Sequence, residues 1–171
     1  NQADHRNAKG RILTGEEMLT VFNGMTGEAI HTVWYNPNRG YGLGGSAEYA
    51  GWGDKMTLGN RGERFLACVA FLDGMDKKPS AVMCRGYYTR SYLWAVDFDG
   101  KQLMTKWLHA SLSESEWQVT DKDGKTKSQQ TGLKATAFGQ GAHSIAVADV
   151  DNDGCDEITY GSAAIDHDGS L

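Results

Sequence analysis

Proline, cysteine and long apolar runs are all scarce in this sequence. Its 171 residues include only 2 prolines and 3 cysteines. No run approaches the roughly 18 apolar residues that a membrane helix needs, so no membrane partner is expected. The net charge is −5, which excludes the basic footprint of a nucleic-acid-binding protein. The N-terminal stretch NQADHRNAKGRIL lacks the apolar core of a signal peptide, as would a secreted chain whose signal had been removed.

The cysteines are Cys68, Cys84 and Cys155. Their odd number excludes a fully paired set of disulfides, and none has a CxxC or zinc-finger spacing. Cys68 and Cys84 lie in apolar segments, which predicts buried thiols. The 22 glycines and the dispersed aromatic residues are typical of a turn-rich β protein. The length suits one domain with a sizeable core.

Alternating apolar and β-branched segments predict strands, and no segment has the period of an amphipathic helix. The predicted strands cover residues 16–22, 27–35, 65–72, 80–84, 92–98, 103–109, 144–148, 157–160 and 163–166. Two segments interrupt this pattern. Residues 36–61 are rich in glycine and aromatics, and a loop this long is more often functional than idle. Residues 111–137 are polar and are predicted to form an exposed excursion.

An acidic stretch, DVDNDGCDE, follows the strand predicted over residues 144–148. Its alternating carboxylates, with a glycine at the sixth position, are typical of a calcium loop, because calcium prefers six to eight oxygen ligands. The alternative is a solvated turn, since Asp, Asn and Gly favour turns. The twelfth residue is not Glu and the flanks are strand-like, which excludes an EF-hand. The predicted ligands are the side chains of Asp149, Asp151, Asp153 and Glu157 and the backbone carbonyl of Cys155.

The sequence also contains an internal repeat. LACVAFLDG (66–74) resembles IAVADVDNDG (145–154), and WAVDFDGKQL (94–103) resembles SAAIDHDGSL (162–171). Repeated antiparallel sheets with acidic turns indicate β-propeller blades. At roughly 40–50 residues per blade, the chain is long enough for about two to three blades. We therefore expect an all-β fold and a fragment of a larger propeller, since the last residues follow a turn where the next strand should begin.

Five segments carry a family resemblance: residues 22–37, 52–54, 59–74, 80–100 (SAVMCRGYYTRSYLWAVDFDG) and 139–161 (GQGAHSIAVADVDNDGCDEITYG). Together they resemble the rhamnogalacturonan lyases of polysaccharide lyase family eleven. The resemblance implies an eight-bladed β-propeller with several structural calcium ions. It also implies cleavage of rhamnogalacturonan I, a pectin backbone, by β-elimination at galacturonate. The expected partners are this polysaccharide and the remainder of the propeller, whether missing chain or cleaved segment.

The resemblance assigns a role to one histidine, and side-chain chemistry predicts roles for residues 85–90. It places His143, in GQGAHS, in the active site as a metal ligand or proton-handling group, whereas the residues alone favour a histidine bound to a glycine-rich turn. Arg85 is predicted to be catalytic, and Tyr87 and Arg90 to bind substrate, because Arg binds carboxylates and Tyr stacks on sugars. The alternative is a twisted hairpin that carries surface arginines.

The long loop at residues 36–61 contains two further predicted substrate-binding residues, Trp52 and Arg61, beside Asp54 and Asn60. Its segment 55–58 is longer than the family pattern. Two acidic pairs are interpreted as Asx turns, with a second calcium site as the alternative: Asp97 with Asp99, and Asp166 with Asp168.

The predicted function is therefore that of a rhamnogalacturonan lyase, with this fragment inactive by itself. A polysaccharide of this size does not enter cells intact, so we expect a secreted protein, extracellular or periplasmic. The alternative is a non-catalytic, calcium-stabilised propeller that binds a partner, as integrin-type repeats do, or a carbohydrate. Such modules share the acidic hairpin but are not expected to share VMCRGYYTR or GQGAHS.

Overall fold

The computed structural model of the chain describes residues 3–10, 12, 15–38, 64–86, 88–132, 136–140 and 144–171. Within these ranges the regular secondary structure is entirely β-strand, which confirms the predicted all-β class. The strands are β1 Met18–Phe22, β2 Ala29–Trp34, β3 Phe65–Ala70, β4 Ser80–Gly86, β5 Ser91–Phe98, β6 Leu103–Ser113, β7 Glu116–Thr120, β8 Thr126–Thr131, β9 Ile145–Ala148, β10 Glu157–Tyr160 and β11 Ala163–Ile165. No helix in the described ranges could span a bilayer.

The strands form three antiparallel sheets in which neighbours in the chain are also neighbours in the sheet. β1 and β2 make a two-stranded sheet, β3 to β8 make a six-stranded sheet in sequential order, and β9 to β11 make a three-stranded sheet. This arrangement follows from short connections, because antiparallel strands can be joined by tight turns. The six-stranded sheet is hereafter called the central sheet.

The predicted excursion at residues 111–137 instead contains strands β7 and β8, which extend the central sheet by a hairpin. Trp117 and Val119 alternate with polar residues in β7, and both are buried. β8 lies at the sheet edge, where its polar sequence TKSQQT is solvated. The sequence did not predict these strands for two reasons. β8 has no buried face, and the alternation of apolar and polar residues in β7 spans only five residues.

The core lies on both faces of the central sheet. In β5, Leu93 and Ala95 belong to a cluster that includes Ile158 and Tyr160 of β10. Trp94 and Val96 instead pack on the opposite side, in a cluster with Tyr35. Because successive side chains of a strand point to opposite faces, β5 is buried on both sides between the two smaller sheets.

A buried histidine attaches the C-terminal turn to the central sheet. His109 is 0% exposed, and its Nδ1 donates to the Gly169 carbonyl at 2.7 Å. Its Nε2 accepts from the Ser111 hydroxyl at 2.8 Å, and the same hydroxyl oxygen accepts from the Ala137 amide. Burial lowers the pKa of His109 to about 4. The imidazole is therefore neutral at neutral pH.

Candidate functional site

The acidic loop between β9 and β10 is wound around its own carboxylates. The Gly154 amide donates to Asp149 Oδ2 and the Asp153 amide to Asp151 Oδ1, each at 3.1 Å. Asn152 and Gly154 have φ values of 64° and 93°, in the left-handed region that Asn and Gly tolerate best. These turns bring alternate side chains towards the inside of the loop.

Three of the four predicted carboxylate ligands converge. One oxygen each of Asp149, Asp151 and Glu157 lies within 4.8 Å of the others. Glu157 is 5% exposed; its Oε2 accepts from the Val150 amide at 2.7 Å, but its Oε1 is buried without a hydrogen-bond partner. A buried carboxylate oxygen without a partner is unfavourable unless a cation neutralises it. This donor set fits calcium, which binds oxygen ligands.

Asp153, the fourth predicted carboxylate, belongs to a different group of side chains. Its carboxylate lies near Cys155 and His167, the latter in the turn after β11. Its Oδ1 also accepts from the Cys155 amide at 2.7 Å. The spacing of the loop did not predict this group, because His167 comes from a separate turn.

Asp156 joins the acidic loop to the loop that follows β3. Its amide donates to the Phe71 carbonyl at 3.1 Å, and its Oδ2 accepts from the Phe71 amide at 2.7 Å. Asp156 is buried. Phe71 belongs to the first copy of the internal repeat, and Asp156 follows the second copy by two residues. The acidic turns that end the two copies lie side by side, because a Cβ added at Gly74 would be 3.5 Å from the Gly154 carbonyl oxygen.

Arg85, predicted to be catalytic, lies inside the protein. It is 0% exposed, and its two terminal nitrogens bind the two Glu17 oxygens at 2.7 and 3.0 Å. It also donates to the Pro37 carbonyl, and its guanidinium carbon is 4.8 Å from the ring centroid of Phe65. This geometry suits a structural role, because the guanidinium holds β1 and the segment after β2 against the central sheet; the catalytic role of Arg85 stays a prediction.

Arg90, predicted to bind substrate, lines an open groove of about 730 Å³ between β2 and the central sheet. Some of its lining residues are aromatic, and Lys122 lies at the same groove. Burial raises the pKa of Tyr92, and the charge and hydrogen bond of Arg90 oppose that shift. The aromatic lining residues are Trp34, Tyr35, Tyr92 and Trp94. Of these four, Trp34 is 42% exposed and the other three are buried. An exposed aromatic ring and a cationic side chain such as Arg90 suit an anionic sugar.

The other predicted site residues, His143, Trp52, Arg61 and Tyr87, lie outside the described residues.

Residues 1–171 match the protein family described as rhamnogalacturonan lyase family 11, C-terminal domain. The chain belongs to rhamnogalacturonan lyase family 11. Two Bacillus subtilis (strain 168) members are similar to it. Rhamnogalacturonan exolyase YesX is 49% identical over 169 residues, which cover 99% of this chain and 23% of YesX. Rhamnogalacturonan endolyase YesW is 42% identical over 167 residues, which cover 98% of this chain and 22% of YesW.

Solved structures of family 11 share the fold. The crystal structure of the exotype lyase YesX matches with a TM-score of 0.73 at 47% identity, covering 99% of this chain and 23% of that one. A Bacillus licheniformis rhamnogalacturonan lyase matches with the same TM-score and identity, covering 24% of its length. The chain thus spans about a quarter of the relatives it matches. The family resemblance found in the sequence is confirmed.

Proposed function

We propose that this chain is part of a rhamnogalacturonan lyase that cleaves rhamnogalacturonan I by β-elimination at galacturonate. The observation that carries the proposal is the 49% and 42% identity, over nearly the whole chain, to two proteins named as rhamnogalacturonan lyases. The chain contributes part of the propeller and of its substrate channel, and it is inactive without the rest. The protein is secreted, to the outside of the cell or to the periplasm, where it meets pectin.

The reaction requires a base that removes the proton at C5 of galacturonate, followed by cleavage of the bond between C4 and the leaving oxygen. Negative charge develops at C5 and spreads into the adjacent carboxylate. A fixed cation beside that carboxylate stabilises the transition state. Arg90 can bind a galacturonate carboxylate at the wall of the groove, and a guanidinium forms two parallel hydrogen bonds with such a group. His143 is proposed to ligate a metal or handle the proton.

The acidic loop is proposed to hold a structural calcium ion. Asp149, Asp151 and Glu157 provide converging oxygens, and the buried Glu157 Oε1 has no other partner. Asp153, whose carboxylate lies beside Cys155 and His167, and the Cys155 carbonyl are proposed to complete the ligand set. When bound, the ion neutralises the carboxylates and cross-links the ends of β9 and β10, so that the hairpin keeps its shape.

A propeller is the architecture that best accounts for the three sheets. The central sheet has one smaller sheet on each face, as a blade has a neighbour on each side. The acidic turns at Gly74 and Gly154, which end the two copies of the internal repeat, lie side by side. In this proposal β1–β2 and β9–β11 belong to two neighbouring blades.

The decisive experiment incubates the full-length protein containing this chain with purified rhamnogalacturonan I and follows the ultraviolet absorbance of the unsaturated product. We expect a steady increase in absorbance, which calcium chelation abolishes. No absorbance together with retained polysaccharide binding would instead support the second candidate, a non-catalytic carbohydrate-binding propeller. The groove lined by Trp34 and Arg90 is the observation that favours this candidate over an integrin-type module.

A further inference from the structure

Lys106 joins the turn after β3 to the end of β5. Its Nζ pairs with the carboxylate of Asp73 in that turn and lies 3.5 Å from Asp97 Oδ2. Asp97 Oδ1 accepts from the Ser80 hydroxyl at 2.5 Å. The side chain of Lys106 is 20% exposed, so most of this lysine is shielded from water beside two carboxylates.

Lys106 occupies a β-bulge in strand β6. Ala95 of β5 pairs with Trp107 and Val96 pairs with Thr105, so Lys106 is the extra residue of the bulge. A bulge bends its strand and directs a side chain away from the regular alternation. The bulge therefore accounts for a charged side chain that reaches the two aspartates from the middle of a strand.

The internal repeat gives both aspartates a counterpart. Asp73 corresponds to Asp153, because each directly precedes the glycine that ends its acidic turn. Asp97 corresponds to Asp166, because each begins a D-x-D-G sequence. In the second copy, His167 Nδ1 lies 2.7 Å from Asp166 Oδ1 and 3.4 Å from Asp153 Oδ2. A side-chain nitrogen therefore lies beside the corresponding aspartates of both copies.

The two copies differ where calcium is proposed to bind. When they are aligned from their first residues, Ala70 and Leu72 take the places of Asp149 and Asp151. Both apolar side chains are buried in the core. Calcium requires converging oxygen ligands, so these two positions of the first copy cannot supply side-chain ligands.

We propose that Lys106 is the fixed counter-ion of the first copy, where it takes the place of a metal ion. Its ammonium group neutralises Asp73 and Asp97 and holds the turn after β3 against β5. Without it, two neighbouring like charges would disfavour each other. Because the lysine belongs to the chain, the first copy keeps its shape at any calcium concentration. The contrast with the second copy rests on the proposed calcium site in the acidic loop.

The first test measures melting temperatures of the full-length protein in a calcium chelator, so that its result is independent of that calcium site. We expect Lys106→Met to lower the melting temperature, although methionine keeps much of the packing of the lysine stem. Adding Asp97→Asn should restore part of the loss, because one of the two unpaired carboxylates is removed. Lys77→Met is the control, since Lys77 is exposed and pairs with Asp76 in the same loop. No loss in Lys106→Met, or no recovery in the double variant, would overturn the proposal.

The second test compares the increase in melting temperature that calcium produces. Asp73→Asn should leave this increase unchanged, because Asp73 pairs with a lysine and not with a metal ion, whereas Glu157→Gln should reduce it. A smaller increase in Asp73→Asn would make Asp73 a calcium ligand and overturn the proposal. No increase in any of the proteins would contradict the calcium site alone, and the melts in chelator would still decide the role of Lys106.

Discussion

Asp156 and Phe71 form a reciprocal pair of hydrogen bonds, in which the carboxylate and amide of one residue bind the amide and carbonyl of the other. The carboxylate bond is the shorter, at 2.7 Å. A buried hydrogen bond to a charged group contributes more than a neutral one. This pair is therefore a principal connection between the three-stranded sheet and the central sheet.

We expect Asp156→Ala to lower the free energy of unfolding by about 2 kcal/mol, because the partly buried Phe71 amide loses its acceptor. Urea denaturation followed by tryptophan fluorescence measures the change. Asp123→Ala is the control, since Asp123 is exposed and forms only a surface ion pair with Lys122, worth little. Equal stability of the two variants would contradict the structural role of Asp156.

Calcium should stabilise the acidic loop through Glu157. At a free concentration about 100 times its dissociation constant, a ligand of the native state adds about 2.7 kcal/mol. We expect calcium to raise the melting temperature of the unmodified protein and to raise that of Glu157→Gln less, because the substitution removes a charged ligand. Thermal melts with calcium and with a chelator provide the comparison. Identical calcium-induced shifts in both proteins would exclude Glu157 as a ligand.

The ion pair of Arg85 with Glu17 should contribute to the free energy of unfolding and should not take part directly in catalysis. Arg85→Met leaves the carboxylate of Glu17, 15% exposed, without its guanidinium, and breaking such a pair costs about 3–5 kcal/mol. The double variant Arg85→Met/Glu17→Leu should recover part of that loss, because no unpaired charge remains.

Activity of the folded double variant in the full-length protein distinguishes the two roles of Arg85. If Arg85 only supports β1, the turnover number should follow the folded fraction. A fully folded double variant without activity would support the predicted catalytic role of Arg85.

His109 should make stability depend on pH. Its ordinary pKa is 6.5 and its pKa in the folded protein is lowered to about 4, so protons bind the unfolded state preferentially in this range. The contribution of His109 to the free energy of unfolding is fully present above about pH 6.5 and falls as the pH drops towards 4. At pH 5 the free energy of unfolding should be lower by about 2 kcal/mol. Urea titrations at pH 7.5 and pH 5 should show this loss in the unmodified protein.

The variant His109→Gln isolates this effect from the titration of carboxylates. It cannot titrate, so its stability should change less between the two pH values, although it is less stable at pH 7.5. An equal change in both proteins would show that His109 does not determine the acid sensitivity.

Arg90→Ala should weaken substrate binding in the full-length lyase. A hydrogen bond to a charged group contributes about 1.5–3 kcal/mol, so KM should rise by about 10- to 100-fold, whereas Arg90→Lys should retain part of the affinity. Lys77→Ala is the control, because Lys77 is exposed, pairs with Asp76 and does not line the groove. An unchanged KM in Arg90→Ala would remove this residue from the substrate site.

Local patterns predicted the elements whose apolar residues alternate clearly. Residues 157–160, Glu-Ile-Thr-Tyr, were predicted as a strand and form β10 with the same bounds. β8 was missed because its polar residues carry no signal of a buried face. The acidic spacing predicted the convergence of Asp149 and Asp151, since both belong to one short loop.

Contacts between distant segments could not be predicted in this way. Glu17 binds Arg85 across 68 positions of sequence, and His167 reaches Asp153 from another turn. Neither contact has a local signature, because tertiary packing brings the segments together. The assignment of Arg85 therefore depended on the side-chain chemistry of arginine, which serves an interior ion pair as well as a substrate carboxylate.

Strand β5 lies between two clusters of buried side chains, one on each face of the central sheet. Leu93 packs towards the sheet of β9 to β11, and its neighbour Trp94 packs towards the sheet of β1 and β2. A substitution that improves the fit to one sheet, by displacing the backbone, would disturb the fit to the second. Substitutions in β5 must therefore be compatible with both smaller sheets. Changes in the packing of either smaller sheet are better tolerated in strands other than β5.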